Sequence, residues 1–562
     1  MAAEIPEIEP SDRGSQLAEV IRRRAATDGE DAFLEHSRGE RGITFGELHE
    51  VVDRWRTLLP KLGARRGQVV GIAVADPVDF SLLFLAVVAS GRTAAPLNPA
   101  APDEELSAVC QRLHPRIVIA DHPSPGPAVD GWSELPTGSF DRPELAFHSG
   151  WTGLQENARP AAPVIPVPPS NLFANRDAHP AGTSGGLLLS SSGTTGQPKL
   201  ICLSEAQLLH TARGIASHHQ LTPSDCGFNP LPLFHINAEA VGLLATLLAG
   251  ATLVVDDRFH RKGFWRLMER WQVTWINAVP AVIARLVPLD PDERVPSSVR
   301  FIRSASAPLP VSTLRRFEDT TGVPVIETYG MSEAGSQITA NPLSGTRKPG
   351  SVGVPIGVEL RLLPAALAAG RHREREGARR PAEDGPDEIG SLSTAVGAVL
   401  IRGPGVITRY FGAGYEDRFD SDGWLDTGDL GRLDDDGYLF LVGRADDVIN
   451  RGGEKIYPRE VEEVIMADPE IAAVAVVARA DVVMGQVPVA YLVPRVPISQ
   501  RDGARARVLV HRVQEHCERS LSRARRPVAF HVVENLPFGA TGKVRRHLVG
   551  QTVSLYCLRA SS

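Results

Sequence analysis

Residues 190–199 read Ser-Ser-Ser-Gly-Thr-Thr-Gly-Gln-Pro-Lys and follow directly on the apolar run Leu187-Leu188-Leu189. Small residues let successive backbone N–H groups turn toward one point, and the hydroxyls of Ser191, Thr194 and Thr195 add donors. The segment can therefore cradle phosphate oxygens. The glycine-to-lysine spacing differs from that of the GxxxxGK[ST] loop. Lys199 is notable in itself. The chain holds 60 lysines and arginines, and only six are lysine: Lys61, Lys199, Lys262, Lys348, Lys455 and Lys543. A chain that writes arginine almost everywhere directs attention to the places where it keeps lysine.

The elements that would position this loop alternate in period. Phe45, Leu48, Val51, Val52 and Trp55 recur at helical spacing, Val69 to Val74 is a compact apolar strand, Phe80 to Val88 is helical, and Ile117 to Ala120 reads as a strand. Helices alternating with short Val/Ile runs predict an α/β fold with parallel-rich sheets covered by helices. The rhythm continues through Thr252–Val255, Val273–Asn277, Phe301–Ile302 and Val323–Ile326. Residues 121–182, rich in Pro, Gly, Ser and Asn, and the charged stretch 365–386 read as irregular inserts. Past Gly437 the texture becomes that of a small α+β unit: helix 460–466, strands 471–478 and 487–493, helix 508–521, strand 528–533. The expected division is a large N-terminal domain, 1–445, and a smaller C-terminal domain, 446–562, carrying Lys543.

Composition narrows the function. A formal net charge of −7 leaves no electrostatic footprint for nucleic acid. The apolar stretches 81–90 and 240–255 are too short or interrupted to span a bilayer. The first twenty residues are acidic and lack the apolar core of a secretory leader. Five scattered cysteines without a CxxC pair argue against a disulfide framework or zinc site. The expectation is a cytoplasmic protein with small-molecule partners, no nucleic acid and no membrane span.

At the 190–199 loop the sequence resembles the adenylate-forming superfamily of acyl-CoA synthetases, luciferases and peptide-synthetase adenylation domains. Further motifs follow in the family's order. Pro232-Leu-Phe-His235 resembles its acyl-tunnel motif, Glu327-Thr-Tyr-Gly-Met-Ser-Glu333 its nucleotide and magnesium motif, and Trp424-Leu-Asp-Thr-Gly-Asp429 its ribose motif. Gly443-Arg-Ala-Asp446 resembles the hinge, Arg451 to Pro458 the loop after it, and Pro537 to Lys543 the C-terminal lysine motif. The resemblance covers about residues 15–550. In texture it is nearest to oxalyl-CoA synthetase-like ligases. That branch, however, has a histidine where Ser336 stands, which argues against oxalate as the acid. Ser332 replaces the family's usual threonine and keeps the hydroxyl. Ser391 to Val396 is an extra segment without an assigned role.

The resemblance implies a role for each matching residue. Ser191, Thr194, Thr195, Gly196 and Lys199 would hold the β- and γ-phosphates; Thr328, Tyr329 and Ser332 would line the nucleotide, with Tyr329 against adenine. Glu333 would bind Mg²⁺, which prefers oxygen donors together with substrate phosphates. Asp429 would accept both ribose hydroxyls, and Arg444 would add a ribose or phosphate contact. Lys543 would bridge the reacting carboxylate and the α-phosphate as a compact point charge, a task poorly suited to guanidinium. His235 would gate the acyl channel. Asn237, Glu239, Ser304, Ala305, Ser306, Gly330 and Ser336 would line the acyl pocket. There Glu239 would repel a dicarboxylate and could favour an amine-bearing substrate, unless it faces away or caps a helix. Asp446 would be the pivot that withdraws Lys543 and brings in the 452–455 loop. The implied activity is ATP-dependent acid–CoA ligation through an acyl-adenylate, with ATP, Mg²⁺ and CoA. Carrier-protein loading, amide formation or nitrite activation stays open as an alternative, because the motifs serve the nucleotide.

Overall fold

The structure is a computed structural model. It describes residues 14–39, 41–120, 165–166, 185–191, 199–364, 395–411, 415–499, 502–538 and 543–559. Thr194, Thr195 and Gly196, the insert 365–386 and residues 391–394 lie outside the described residues. So does the insert 121–182, apart from the short strand Ile165–Pro166.

Two parallel-rich sheets form the larger part. In the nine-stranded sheet the strands Val325–Tyr329, Phe301–Ser304, Trp275–Ala278, Cys226–Asn229, Thr252–Val255 and Ala32–His36 run side by side and parallel. Antiparallel strands close both edges. In the six-stranded sheet Val69–Ala73 pairs with Thr93–Pro96 and Ile117–Ala120, and the outer hairpin Gly186–Ser191/Lys199–Ser204 carries the phosphate loop between its strands. Ser191 and Lys199 are directly paired across that hairpin.

Helices cover the sheets because their starts are chemically marked. Thr44 with Glu47, and Ser204 with Gln207, form reciprocal capping boxes ahead of helices Phe45–Lys61 and Glu205–His218. Asp76 caps helix Pro77–Ala89, which starts on a proline and is buried along almost its whole length. This is the apolar stretch that was too short to span a bilayer. Among the described residues no helix is long and apolar enough to cross a membrane.

A third sheet departs from the expected pattern. Glu359–Pro364, Gly397–Arg402, Leu425–Leu433 and Leu439–Arg444 form a wholly antiparallel four-stranded sheet. Between Gly397–Arg402, Leu425–Leu433 and Leu439–Arg444 the described residues hold no α-helix, whereas parallel neighbours usually need a helical crossover.

The smaller C-terminal part has its own sheet of six strands from Ile449 to Arg559, with helices Pro458–Met466 and Gly503–Ser520 packed in a separate apolar cluster. Its first hairpin, Ile449–Arg451 with Glu454–Ile456, turns on Gly452 and Gly453, both at positive φ. Two such residues in a two-residue turn match the twist of the strands, a conformation that favours glycine.

Candidate functional site

The ends of two sheets meet at Tyr329 and Asp429. Tyr329 ends the strand Val325–Tyr329, and Asp429 lies in the antiparallel strand Leu425–Leu433. The Tyr329 hydroxyl donates to Asp429 Oδ2 at 2.5 Å. Arg444 sits opposite Asp429 in the ladder, and its Nη1 lies 3.2 Å from Oδ1. Burial and then the Asp429 charge hold the Tyr329 phenol above its ordinary pKa. A carboxylate is thus gripped from two sides beside an aromatic face, an arrangement suited to a base and its ribose. Thr328 faces the other way and donates to the Ser304 carbonyl at 3.1 Å.

Glu333 lies in the one-turn helix Ser332–Ala334, and only 6% of it is exposed. Tyr410, a residue no sequence pattern singled out, donates its hydroxyl to Glu333 Oε1 at 2.8 Å. Tyr410 also lies under Lys199, whose Nζ stands 5.2 Å from the Tyr410 ring and 5.0 Å from the Tyr415 ring. Burial, followed by the charge of Arg418, lowers the Lys199 pKa, with Glu333 acting the other way. The Ser332-Glu333 turn, Lys199 at the mouth of the phosphate loop and the segment around Tyr410 therefore converge. Among the described residues no group of three or more His, Cys, Asp or Glu gathers to hold a metal. One carboxylate with an oxygen to spare fits a hard cation that takes its remaining ligands from phosphates and water.

The residues expected to line the acyl pocket lie on the end of the nine-stranded sheet and on the helical segment after His235. That segment, Asn237–Leu244, is a π-helix, a form that recurs at functional sites. His235 Nε2 is buried without a partner, and burial pushes the imidazole down to about 4. Asn237 Nδ2 donates to Ser306 Oγ at 3.3 Å. Ser304 and Ala305 are buried at the end of a central strand, and Ser306 and Ser336 both hold positive φ, at 72° and 87°. Such backbone strain in non-glycine residues clusters at binding sites. Gly330 is required here because a Cβ would come within 1.8 Å of the Ser336 carbonyl oxygen. Glu239 is fully buried with neither carboxyl oxygen bonded, and burial raises its pKa well above the carboxylate range. Burial thus disfavours its charged form, and its side chain makes no capping hydrogen bond.

A cation missed by sequence reading dominates this wall. Arg303, 0% exposed, donates from Nη1 to Asn237 Oδ1 at 2.8 Å and Asn277 Oδ1 at 3.2 Å, and from Nη2 to Gln337 Oε1 at 3.1 Å. Its signal in the sequence was an arginine two places after Phe301 in a strand whose other residues are core, but inward direction needs the sheet partner to be known.

In the smaller part, Asp446 stands exposed in the turn Ala445–Asp447. Its neighbour Asp447 lies 3.2 Å from Arg546, which also pairs with Glu462 at 2.6 Å. Lys543 is exposed, and among the described residues no hydrogen bond or ion pair links it to Glu333 or Asp429. The small part docks instead through helix Pro458–Met466. Glu463 accepts from the Val311 backbone N–H at 2.8 Å, and Ser312 Oγ donates to the Met466 carbonyl at 3.0 Å. Arg459 Nη2 lies 4.0 Å from the buried Glu327.

Comparison with known proteins gives this geometry a family. The AMP-binding enzyme family matches residues 21–411, and its C-terminal domain matches 460–543. The chain is 33% identical to a sulfoacetate–CoA ligase of Cupriavidus necator, over 94% of this chain and 96% of that one. It is 32% identical to an oxalate–CoA ligase of Arabidopsis thaliana, over 91% and 94%. Among solved structures it resembles the o-succinylbenzoate CoA synthetase of Bacillus subtilis in complex with an acyl-adenylate intermediate, with a TM-score of 0.72 and 25% identity, covering 97% and 99% of the two chains. With a family match across most of its length and two ordered family domains, the chain belongs to the AMP-binding enzyme family.

Proposed function

We propose that this protein adenylates a small acid and hands the acyl group to CoA, with the residues described above in named roles. It is an AMP-forming acid–CoA ligase that uses ATP, Mg²⁺ and CoA. The observation that carries the assignment of roles is the convergence of Asp429, Tyr329 and Arg444 on one side and Glu333, Tyr410 and Lys199 on the other.

A carboxylate is a poor acyl donor because its leaving group would be oxide. Its oxygen attacks the α-phosphorus of ATP, the bond to pyrophosphate breaks, and an acyl-adenylate forms. The thiol of CoA then attacks the acyl carbon, and AMP leaves. Two anions meet in the first step, so the residues must hold them in line and offset charge. Tyr329, with Thr328 and Ser332 beside it, lines the nucleotide; Asp429 binds the ribose hydroxyls, with Arg444 beside it. Lys199, with Ser191, Thr194, Thr195 and Gly196, holds the β- and γ-phosphates. Glu333 would hold Mg²⁺, which would supply charge stabilisation on the phosphates. His235 gates the acyl channel, and Asn237, Ser304, Ala305, Ser306, Gly330 and Ser336 shape it. Lys543 must reach the reacting oxygens, so the domain 446–562 turns about Asp446 against 1–445. Its exposed position on the small domain supports such a motion, as does the exposed 452–455 hairpin, which takes its place for the second step. A cytoplasmic setting belongs to this proposal, supported by five cysteines of which none is paired.

The test is pyrophosphate release over a panel of acids and nitrite, each with and without CoA, with products identified by mass. Acyl-CoA plus equimolar AMP is the expected result. Acid-dependent pyrophosphate release that never yields a thioester would overturn CoA as acceptor.

A further inference from the structure

Arg303 stands in the middle of a parallel sheet, where its neighbours on both sides are fixed by register. Asn277 is its direct partner on the adjoining strand. Asn277 Nδ2 donates to Asn229 Oδ1 at 3.0 Å, and Asn229 Nδ2 donates to the Leu231 carbonyl at 3.0 Å. A line of amides thus runs across three strands and ends on the guanidinium. Every acceptor next to Arg303 (Asn237, Asn277 and Gln337) is a neutral amide oxygen, and among the described residues no carboxylate pairs with it.

The two histidines nearby add no anion. His218 and His219 share a hydrogen bond at 2.9 Å, and burial, with the Arg303 charge as a further cause, holds both neutral. Guanidinium stays protonated at neutral pH. A buried, unpaired cation costs several kcal/mol, a burden usually relieved by an opposite charge.

The groups left over beside this cation include two donors. Arg303 Nε and Gln337 Nε2 are both buried without a partner. Both residues are at least 98% buried, with Arg303 at 0% and Gln337 at 2% exposure. They adjoin the acyl pocket: Gln337 follows Ser336, and Asn237 bridges Arg303 to Ser306. A missing acceptor that is anionic and reaches this wall from the pocket would satisfy charge and hydrogen bonds together.

We propose that Arg303, framed by Asn237 and Gln337, is the specificity-determining residue of the acyl pocket, and that the acid carries a second anionic group, carboxylate or sulfonate, at the end remote from the carboxyl that is adenylated. This rests on the ligase reading and narrows its substrate. One anion reacts at the nucleotide, and the other is held by the guanidinium. Glu239 lies buried with no partner on either carboxyl oxygen, and burial disfavours the charged form that would oppose such a substrate.

The experiment compares matched pairs that differ only in the remote charge: malonate with its monomethyl ester, succinate with its monomethyl ester, and sulfoacetate with methylsulfonylacetate. CoA-dependent pyrophosphate release is measured for wild type, Arg303→Met and Gln337→Leu. In wild type the dianion of at least one pair should be preferred by about 100-fold or more in kcat/KM, since a site built for a polar group rejects analogues that lack it. Arg303→Met should bring that ratio to within about fivefold, through a rise in the KM of the dianion much larger than any change for the neutral member. Gln337→Leu should reduce the ratio in the same direction. If Arg303→Met does not fold, the wild-type ratios and Gln337→Leu still decide. Preference for the neutral member in every pair, or equal loss for both members in the variants, overturns the proposal while leaving the ligase reading standing. Pyrophosphate release with no acid of any kind overturns the ligase reading and this proposal with it.

Discussion

The Tyr410 hydroxyl donates to Glu333 Oε1 at 2.8 Å across 77 residues of sequence. The bond fixes one carboxylate oxygen and leaves the other for the cation. Burial and the adjacent carboxylate keep the phenol protonated and hence a donor. Tyr410→Phe removes only the hydroxyl and keeps the ring beneath Lys199. The Mg²⁺ concentration for half-maximal pyrophosphate release should rise about 10-fold or more, as for other outer partners of metal ligands. An unchanged Mg²⁺ titration would disconnect Tyr410 from the metal site.

Tyr410 also marks where sequence reading stops. The α/β alternation was legible because apolar periodicity is a local signal, whereas the capping boxes at Thr44 with Glu47 and Ser204 with Gln207, equally local, went unread. Glu333 and Asp429 were singled out because their motifs are contiguous. Tyr410 and Arg303 were not. Each acts through partners that pairing and packing bring in from distant segments: Glu333 for one, and Asn237, Asn277 and Gln337 for the other. The antiparallel sheet from 359 to 444 escaped for a related reason. Its antiparallel ladder pairs strands from separate segments, and a long insert lies between the first two.

Tyr329 and Asp429 can be separated by chemistry. Tyr329→Phe keeps an aromatic face for adenine and loses the hydrogen bond that holds Asp429. The KM for ATP should rise about 3–10-fold with kcat nearly constant, matching one modest hydrogen bond. Asp429→Ala removes the ribose acceptor and should cost substantially more. Equal effects of the two variants would contradict this division of labour, and steady-state kinetics with varied ATP checks it.

Glu327 gives a pH dependence with a definite sign. It is 2% exposed, and burial raises its pKa from 4.5 to about 7, with Arg459 opposing and Glu463 reinforcing the shift. Between about pH 4.5 and 7 the folded chain keeps a proton that the unfolded chain has released. Stability from this group is therefore complete below pH 4.5, falls as pH rises, and is lost above 7. The loss is on the order of 2–3 kcal/mol. Glu327→Gln stays neutral throughout. Between pH 5 and pH 8 wild type should lose more stability than the variant by about that amount, read from denaturation midpoints at both pH values. Parallel profiles would place the titration elsewhere.

Lys543→Arg tests the two-step scheme at its most exposed residue. Arg545 and Arg546 lie two and three positions away, so the local chain accepts guanidinium. Lys543 has no partner among the described residues that the substitution would break. Folding and ATP binding should therefore be unaffected. Adenylation needs a compact cation between two reacting anions, and a broad planar guanidinium cannot occupy that point in the same way. Acid-dependent pyrophosphate release should fall by about 100-fold or more, equivalent to roughly 3 kcal/mol of transition-state stabilisation. Thioester formation from a supplied acyl-adenylate should stay near the wild-type rate, because the proposed rotation would withdraw Lys543 from the site for that step. A variant slowed equally in both half-reactions would mean that Lys543 acts on the rotation of the small domain rather than on the carboxylate and phosphate.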